Sequence, residues 1–198
     1  MRHMKAAAAT ALLLVAACQD MTGTSAAPDY RPEETGSVDQ AMCLLGFEAV
    51  PLREVRTGHH LVEATVDGTT ARFVLDTGAN VTVIERSRAE QFGLSPRSGA
   101  AAALGALQQG AAQASQASVG SFEIGAIAIR QNAVVLADMA QLLGALGQVA
   151  GEEVVGVIGQ DVLKEHRAII DVARPMLYLM EEDRNPAPVP AERCSGAG

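Results

Sequence analysis

One acid stands where local structure could put it to work. Asp76, in Asp76-Thr77-Gly78, follows the apolar run Phe73-Val74-Leu75 and precedes a second apolar run, Val81 to Ile84. The tripeptide alone is a weak signal, because Asp, Thr and Gly are ordinary turn residues. Its flanks make it specific: one β-forming run delivers the carboxylate, a glycine lets the chain turn sharply, and another run leads away. That arrangement predicts an acid at the tip of a buried loop, where desolvation and a neighbouring acid shift its pKa toward proton transfer. The other candidates offer less. His59 and His60 are adjacent at the start of a strand, so they point to opposite faces and cannot chelate one metal. His166 stands alone near a helix end, where positive charge suits the helix dipole. Asp161 reads as a helix cap, Asp171 lacks a following Thr-Gly or Ser-Gly, and Glu152-Glu153 reads as an exposed loop pair. No nucleophile elbow or Ser-His pattern is found. Nothing calls for a metal or a cofactor.

The elements that must position Asp76 are mainly β. Leu61 to Val66 and Thr70 to Leu75 flank Asp67-Gly68, a two-residue turn suited to the positive φ of type I′, and so predict a hairpin whose second strand runs into Asp76. Ala79 to Ile84 alternates as a strand. Ser87-Arg88-Ala89-Glu90 is a capping box opening a short helical turn that Gly93 ends. Gly99 to Ala117 is low-complexity Ala, Gly and Gln, expected to be mobile. Strand character resumes at Phe122 to Ile124 and Ile127 to Val135; Asp138 to Gln141 looks like a helix start, and Gly144 to Gly151 reads as a Gly-rich loop. Val154 to Gly159 is a buried-strand run, Gln160 to His166 a short helix, and Ala168 to Val172 with Met176 to Met180 a closing hairpin. No long amphipathic helix is expected.

Phe73-Val74-Leu75-Asp76-Thr77-Gly78-Ala79 resembles the active-site loop of retropepsins and their bacterial relatives. Gly156-Val157-Ile158-Gly159-Gln160-Asp161-Val162-Leu163, about eighty residues downstream, is similar to the strand and short helix that close the same family's core beneath that loop. The resemblance runs from about Leu61 to Leu179 and implies an all-β fold with short helices, a retropepsin-like acid-protease barrel with one lobe per chain. It also implies an aspartic endopeptidase in which two carboxylates share a proton, one acting as base toward a water and the other polarising the peptide carbonyl. One Asp-Thr-Gly supplies one carboxylate, so a complete site requires a homodimer in which Asp76 faces Asp76. By the same analogy the Thr77 hydroxyl braces the two loops across the axis and the Gly78 N–H supports the carboxylate. Gly99 to Ala117 lies where the family places its flap, without the aromatic residue many flaps carry.

The rest of the chain bears on where such an activity would work. Of 198 residues, 48% are apolar and 3% aromatic, enough for one ordinary core built on aliphatic side chains. A formal charge of −8 and the absence of any Lys/Arg run provide no field for nucleic acid. Arg2, Lys5 and the apolar stretch Ala6 to Val15, too short to span a bilayer, have the layout of a secretory leader over residues 1–17. The leader ends Val15-Ala16-Ala17-Cys18, which resembles a bacterial lipobox and implies lipid on Cys18; a plain cleaved leader with a chance Cys is the alternative. Cys43 and Cys194 remain, an even pair in an exported chain, and predict one disulfide. The expected organisation is therefore a lipidated Cys and tether over 18–42, a protease domain over 43–182, and a Pro-rich tail over 183–198. The chain is expected in the bacterial envelope, facing the periplasm on a lipid anchor, or else soluble there or secreted. Its expected partners are a second copy, the membrane, and a peptide or unfolded protein. A catalytically inactive member of the fold, serving as a binding or scaffolding lipoprotein, and a structural lipoprotein with a chance motif are the rival readings.

Overall fold

The computed structural model describes residues 29–97, 114–181 and 186–195. The leader, Cys18, and residues 99–113 of the Ala/Gly/Gln stretch lie outside them.

The predicted hairpin forms over β3 (His60–Val66) and β4 (Thr69–Leu75), in register from His60 opposite Leu75 to Val66 opposite Thr69. Its turn carries Asp67 at φ 46° and Gly68 at φ 81°, the left-handed pair that a type I′ turn needs. The Asp67 carboxylate also accepts the N–H groups of Gly120 and Ser121, tying the turn to the strand that pairs on the other side of β3. That strand is β7 (Phe122–Ile124), followed by β8 (Ile127–Ala128). The larger sheet also contains β2 (Arg53–Glu54), β5 (Val83–Glu85), β6 (Ser115–Ser118), β9 (Ala133–Ala137) and β10 (Gly156–Ile158). Its order is β6-β9-β5-β10-β4-β3-β7-β8, with β2 beside β3. Phe73, fully buried, anchors the core between Phe92 and Phe122, with ring centroids 6.4 and 6.3 Å away, in the range where tilted aromatic pairs attract. The fold is mainly β with short helices.

Several local expectations give way to tertiary context. Only Val83–Glu85 of the run from Ala79 is strand. The Arg86–Phe92 turn is a 3-10 helix capped by the Glu85 carboxylate, which accepts the Ser87 N–H, so Ser87 is not the cap; Gly93 ends the turn in the left-handed region, as expected. The last part of the low-complexity stretch is β6, with Ala117 fully buried. The largest change falls on the Gly-rich loop expected after Gly144. It is helical, as part of α2 (Ala140–Ala150, 11 residues), because Leu143, Leu146 and Ala150 pack with Val55, Leu61, Val74 and Val157. Burial of those side chains outweighs the roughly 1 kcal/mol that each helical glycine costs.

A second, smaller sheet, β1 (Glu48–Pro51), β12 (Met176–Leu179) and β11 (Ile169–Asp171), joins the two ends of the domain. Against it packs α1 (Val38–Leu44), capped by Ser37, which begins inside the stretch expected to be tether. Cys43 of α1 is bonded to Cys194 in the 3-10 turn Ala191–Cys194, and the tail also pairs through Val189 N–H to Leu44 C=O, 2.8 Å. Asp39 of α1 is 1% exposed; it accepts from the Tyr178 hydroxyl at 2.5 Å and from both terminal nitrogens of the Arg174 guanidinium. Burial alone would raise the pKa of Asp39, but the hydrogen bonds from Arg174, Tyr178 and the Arg31 N–H outweigh it and hold the carboxyl below its ordinary value. A lowered folded pKa means that the stability Asp39 contributes is present above the ordinary carboxylate range and is lost as pH falls through the folded value. Unfolding midpoints in urea should therefore drop below about pH 4. Asp39→Asn should flatten that acid limb and lower neutral stability by about 2–3 kcal/mol, discounted because Arg174 is partly in water. An acid limb of unchanged steepness in the variant would contradict this assignment.

Candidate active site

Asp76 follows the last residue of β4, and the path its loop then takes is set by β10. The flanking strands β4 and β5 do not pair with each other. Instead β10 runs between them, parallel to β4 with Val157 opposite Val74, and antiparallel to β5 with Gly156 opposite Ile84. The loop from Asp76 to Thr82 must cross over the end of β10, and the Asp76 N–H is held there by the Ile158 carbonyl at 3.1 Å. This crossing explains the glycines of Gly156-Val157-Ile158-Gly159. A Cβ on Gly156 would lie 2.3 Å from the Val83 carbonyl oxygen and 2.9 Å from the Phe73 ring; one on Gly159 would lie 2.5 Å from the Val81 backbone. Gly159→Ala should therefore cost about 3 kcal/mol or more, because its obstacle is backbone and cannot swing aside. A thermal midpoint within a degree or so of wild type would refute it.

Polar contacts fix the loop from below. The Gln160 side-chain amide donates to the Thr77 carbonyl at 2.5 Å and the Gln160 N–H to the Ala79 carbonyl at 2.8 Å. Gln160 is the first residue of α3 (Gln160–Glu165), whose cap position is Gly159, without a side-chain cap. Asp161 is therefore not the helix cap expected from sequence. Its carboxylate accepts the Thr82 N–H at 2.8 Å and the Thr82 hydroxyl at 2.7 Å, and the same Thr82 oxygen accepts the Gly159 N–H at 3.1 Å. Thr82 is 1% exposed, so these bonds satisfy polar groups that water cannot reach.

Above this support the three residues Asp76, Thr77 and Gly78 are exposed in the single chain, rather than enclosed as the sequence suggested. The Gly78 N–H donates to Asp76 Oδ1 at 2.7 Å and the Ala79 N–H to the Asp76 carbonyl at 3.2 Å, so the carboxylate's orientation is set by its own loop. The exposed face presents one carboxylate with one oxygen free of that bond.

The remaining sequence candidates are structural. The exposed His59 ring pairs with the Thr57 hydroxyl at 2.9 Å. His166 stands at the end of α3, as expected, but is fully buried and bonds the Met180 carbonyl from Nδ1 at 2.8 Å. Asp171 closes the β11–β12 turn by accepting from Ala173 and Arg174. Glu152 is half-buried rather than exposed and bridges Arg53 and Arg72, while Glu153 pairs with Arg88. Sequence reading missed the grip of Gln160, the Asp161–Thr82 lock, and α2, which borders Asp76. The spacing Leu142, Leu143, Leu146, Val149 carried the helical signal for α2, hidden by its glycines.

A mainly β lobe that presents one loop-borne Asp-Thr-Gly, braced by an inserted Gly-Val-Ile-Gly strand and short helix, has the architecture of a retropepsin-like acid-protease lobe. The chain belongs to the aspartyl protease family, whose model matches residues 62–162. Among solved structures it is similar to a retropepsin-like aspartic protease from Rickettsia conorii, with 17% identity over 68% of this chain and 90% of that one and a TM-score of 0.46. It is also similar to the retroviral protease-like domain of Ddi1 from Leishmania major, with 17% identity over 66% and 94% and a TM-score of 0.41. No curated protein matches it in sequence.

Proposed function

We propose that this chain is an aspartic endopeptidase that cleaves peptide or unfolded-protein substrates with a water activated between the Asp76 carboxylates of two copies. The observation that carries the reading is the exposed Asp76 on a loop locked from beneath by β10, Gln160 and Asp161. Such a face leaves room for a two-fold mate while keeping the carboxylate fixed. In the dimer one Asp76 is ionised and takes a proton from the water as it attacks the peptide carbonyl carbon. The other, protonated, donates to the carbonyl oxygen as the tetrahedral diol forms. Protonation of the amide nitrogen then lets the C–N bond break, releasing an acid and an amine and returning one shared proton to the pair. Two carboxylates brought face to face by the two-fold axis share one proton, so a single residue type supplies both the acid and the base. In this dimer the hydroxyl of Thr77, which is exposed beside the acid, hydrogen-bonds across the axis.

The bonded pair Cys43–Cys194 suits an oxidising compartment, which supports export and, with Val15-Ala16-Ala17-Cys18, a lipid-anchored place in the envelope facing the periplasm. A chain that stays monomeric would have half a site and would serve as a binding or scaffolding module. The deciding experiment is proteolysis by wild type, by Asp76→Asn, and by mixtures of the two.

A further inference from the structure

One edge of β3 is shared by two strands that do not meet. Antiparallel pairing turns the backbone groups of alternate residues to opposite sides. The His59 carbonyl accepts the Val55 N–H and the Asp67 N–H donates to the Ser121 carbonyl, both at 2.9 Å, so the odd-numbered residues between them face away from β4. β2 covers that edge as far as Leu61, and β7 as far as Ala64. Glu63 therefore turns its N–H toward an interval where no residue of either strand stands opposite it. Local sequence makes the interval. Leu52 donates its N–H to the Pro175 carbonyl at 2.8 Å and Pro51 pairs with Met176, so the chain leaves β3 for the smaller sheet. On the other side Gly125, at φ 59°, turns β7 into β8.

The interval opens into a hollow of about 430 Å³ lined by Pro51, Arg53, Glu63, Thr65, Arg72 and Gly125, within the roughly 300–1,000 Å³ range of ligand sites. Its three charged side chains are two guanidiniums and one carboxylate. Glu152 holds both guanidiniums from outside that lining, one carboxylate oxygen on each, which fixes them in place. A guanidinium has five N–H donors, so donors remain for a ligand. Glu63 is 58% exposed and meets Arg72 Nη2 at 3.2 Å, an exposed ion pair that a better-placed anion can displace.

We infer that this hollow binds the free C-terminal end of a peptide. The terminal carboxylate lies on Arg53 and Arg72 in place of Glu63, and the last peptide carbonyl accepts the Glu63 N–H. Two features select an end over the middle of a chain. β2 and β7 close the edge on either side, so an extended segment has no path through along β3. The fixed donors, two guanidiniums and one amide, match an acceptor-only carboxylate and its adjoining carbonyl, whereas an amino terminus would meet like charge. Asp76 is not in the wall of this hollow, so the inference is independent of the chemistry proposed for that residue.

The test is calorimetric binding to the full chain of an N-acetylated hexapeptide with a free C-terminal carboxylate, of the same peptide as its C-terminal amide, and of hexanoate, a carboxylate without peptide groups. The acid peptide should bind at least about 10-fold more tightly than either of the others. Asp76→Asn should show the same ratios. Arg72→Gln should bring the acid-to-amide ratio to within about 2-fold. That change also unpairs Glu152, so a second variant keeps the fold out of the result: Glu63→Gln, at an exposed side chain, should tighten the acid peptide about 3-fold with an unchanged melting point. Equal binding of acid and amide, or a preference that survives Arg72→Gln, would overturn the site. So would weaker binding of the acid peptide by Glu63→Gln. Hexanoate binding as tightly as the acid peptide would remove the peptide end in favour of a simple carboxylate. A preference abolished by Asp76→Asn would move the bound end to the Asp76 loop and likewise count against this hollow.

Discussion

Asp76→Asn should lower the rate of cleavage of an unfolded protein by about 10³-fold or more across roughly pH 3–7, without changing the melting point. The substitution is nearly isosteric, and the amide oxygen of Asn can still accept the Gly78 N–H that orients Asp76 at 2.7 Å, so the loop has no reason to move. What disappears is the ability to hold and release a proton. Mixtures sharpen the test. If two copies supply one carboxylate each, randomly assorted dimers with half their chains mutated should retain about a quarter of wild-type activity. Decline in simple proportion to the wild-type fraction would mean that one chain carries a complete site, and undiminished cleavage by pure Asp76→Asn would remove the residue from the chemistry.

Breaking Cys43–Cys194 should cost the fold nearly as much as any single change can. The bond closes a loop of 151 residues, for which the chain-entropy relation gives about 5 kcal/mol, through the greater freedom of the unfolded chain. For a domain of this size that corresponds to a fall of roughly 10–15 °C in Tm. Reduction, or paired Cys43→Ser and Cys194→Ser substitution, should show it in a thermal melt followed by circular dichroism. The loss should not extend to the site at room temperature. Asp39 still holds α1 to β12 through Tyr178 and to Arg174, and the Asp76 loop is braced by α3 and by β10 of the other sheet. Oxidised and reduced chains melting within about two degrees of each other would show that the bond constrains little.

Much of the fold was legible because its signals are local. Asp67-Gly68 between alternating β-formers can satisfy its backbone preferences in few ways other than a tight hairpin, and β3 and β4 formed in the expected register. The Asp-Thr-Gly sits at the end of the second strand for the same reason. The closing hairpin β11–β12 and the turn-ending Gly93 were likewise visible in short windows. The helix at 140–150 was not, because its glycines argue for a loop at the level of propensity, whereas its stability comes from packing Leu143 and Leu146 on residues up to ninety positions away. The same held for α1, where the Ser37 cap is local but the decisive partners of Asp39, Arg174 and Tyr178, are at the far end of the chain.

The covalent order of residues by itself determined which carboxylate stands in the Asp-Thr-Gly loop, the strand that carries it and the cysteines available to close the domain, since each depends on residue type and near neighbours. Only the tertiary structure decided that β10 threads between β4 and β5, that Asp161 locks Thr82 instead of capping its own helix, and that α2 stands beside Asp76. Those outcomes turn on backbone approaching backbone within van der Waals distance and on buried polar groups finding partners some eighty residues away. Such close-packing conditions are met or broken only when the whole chain is in place.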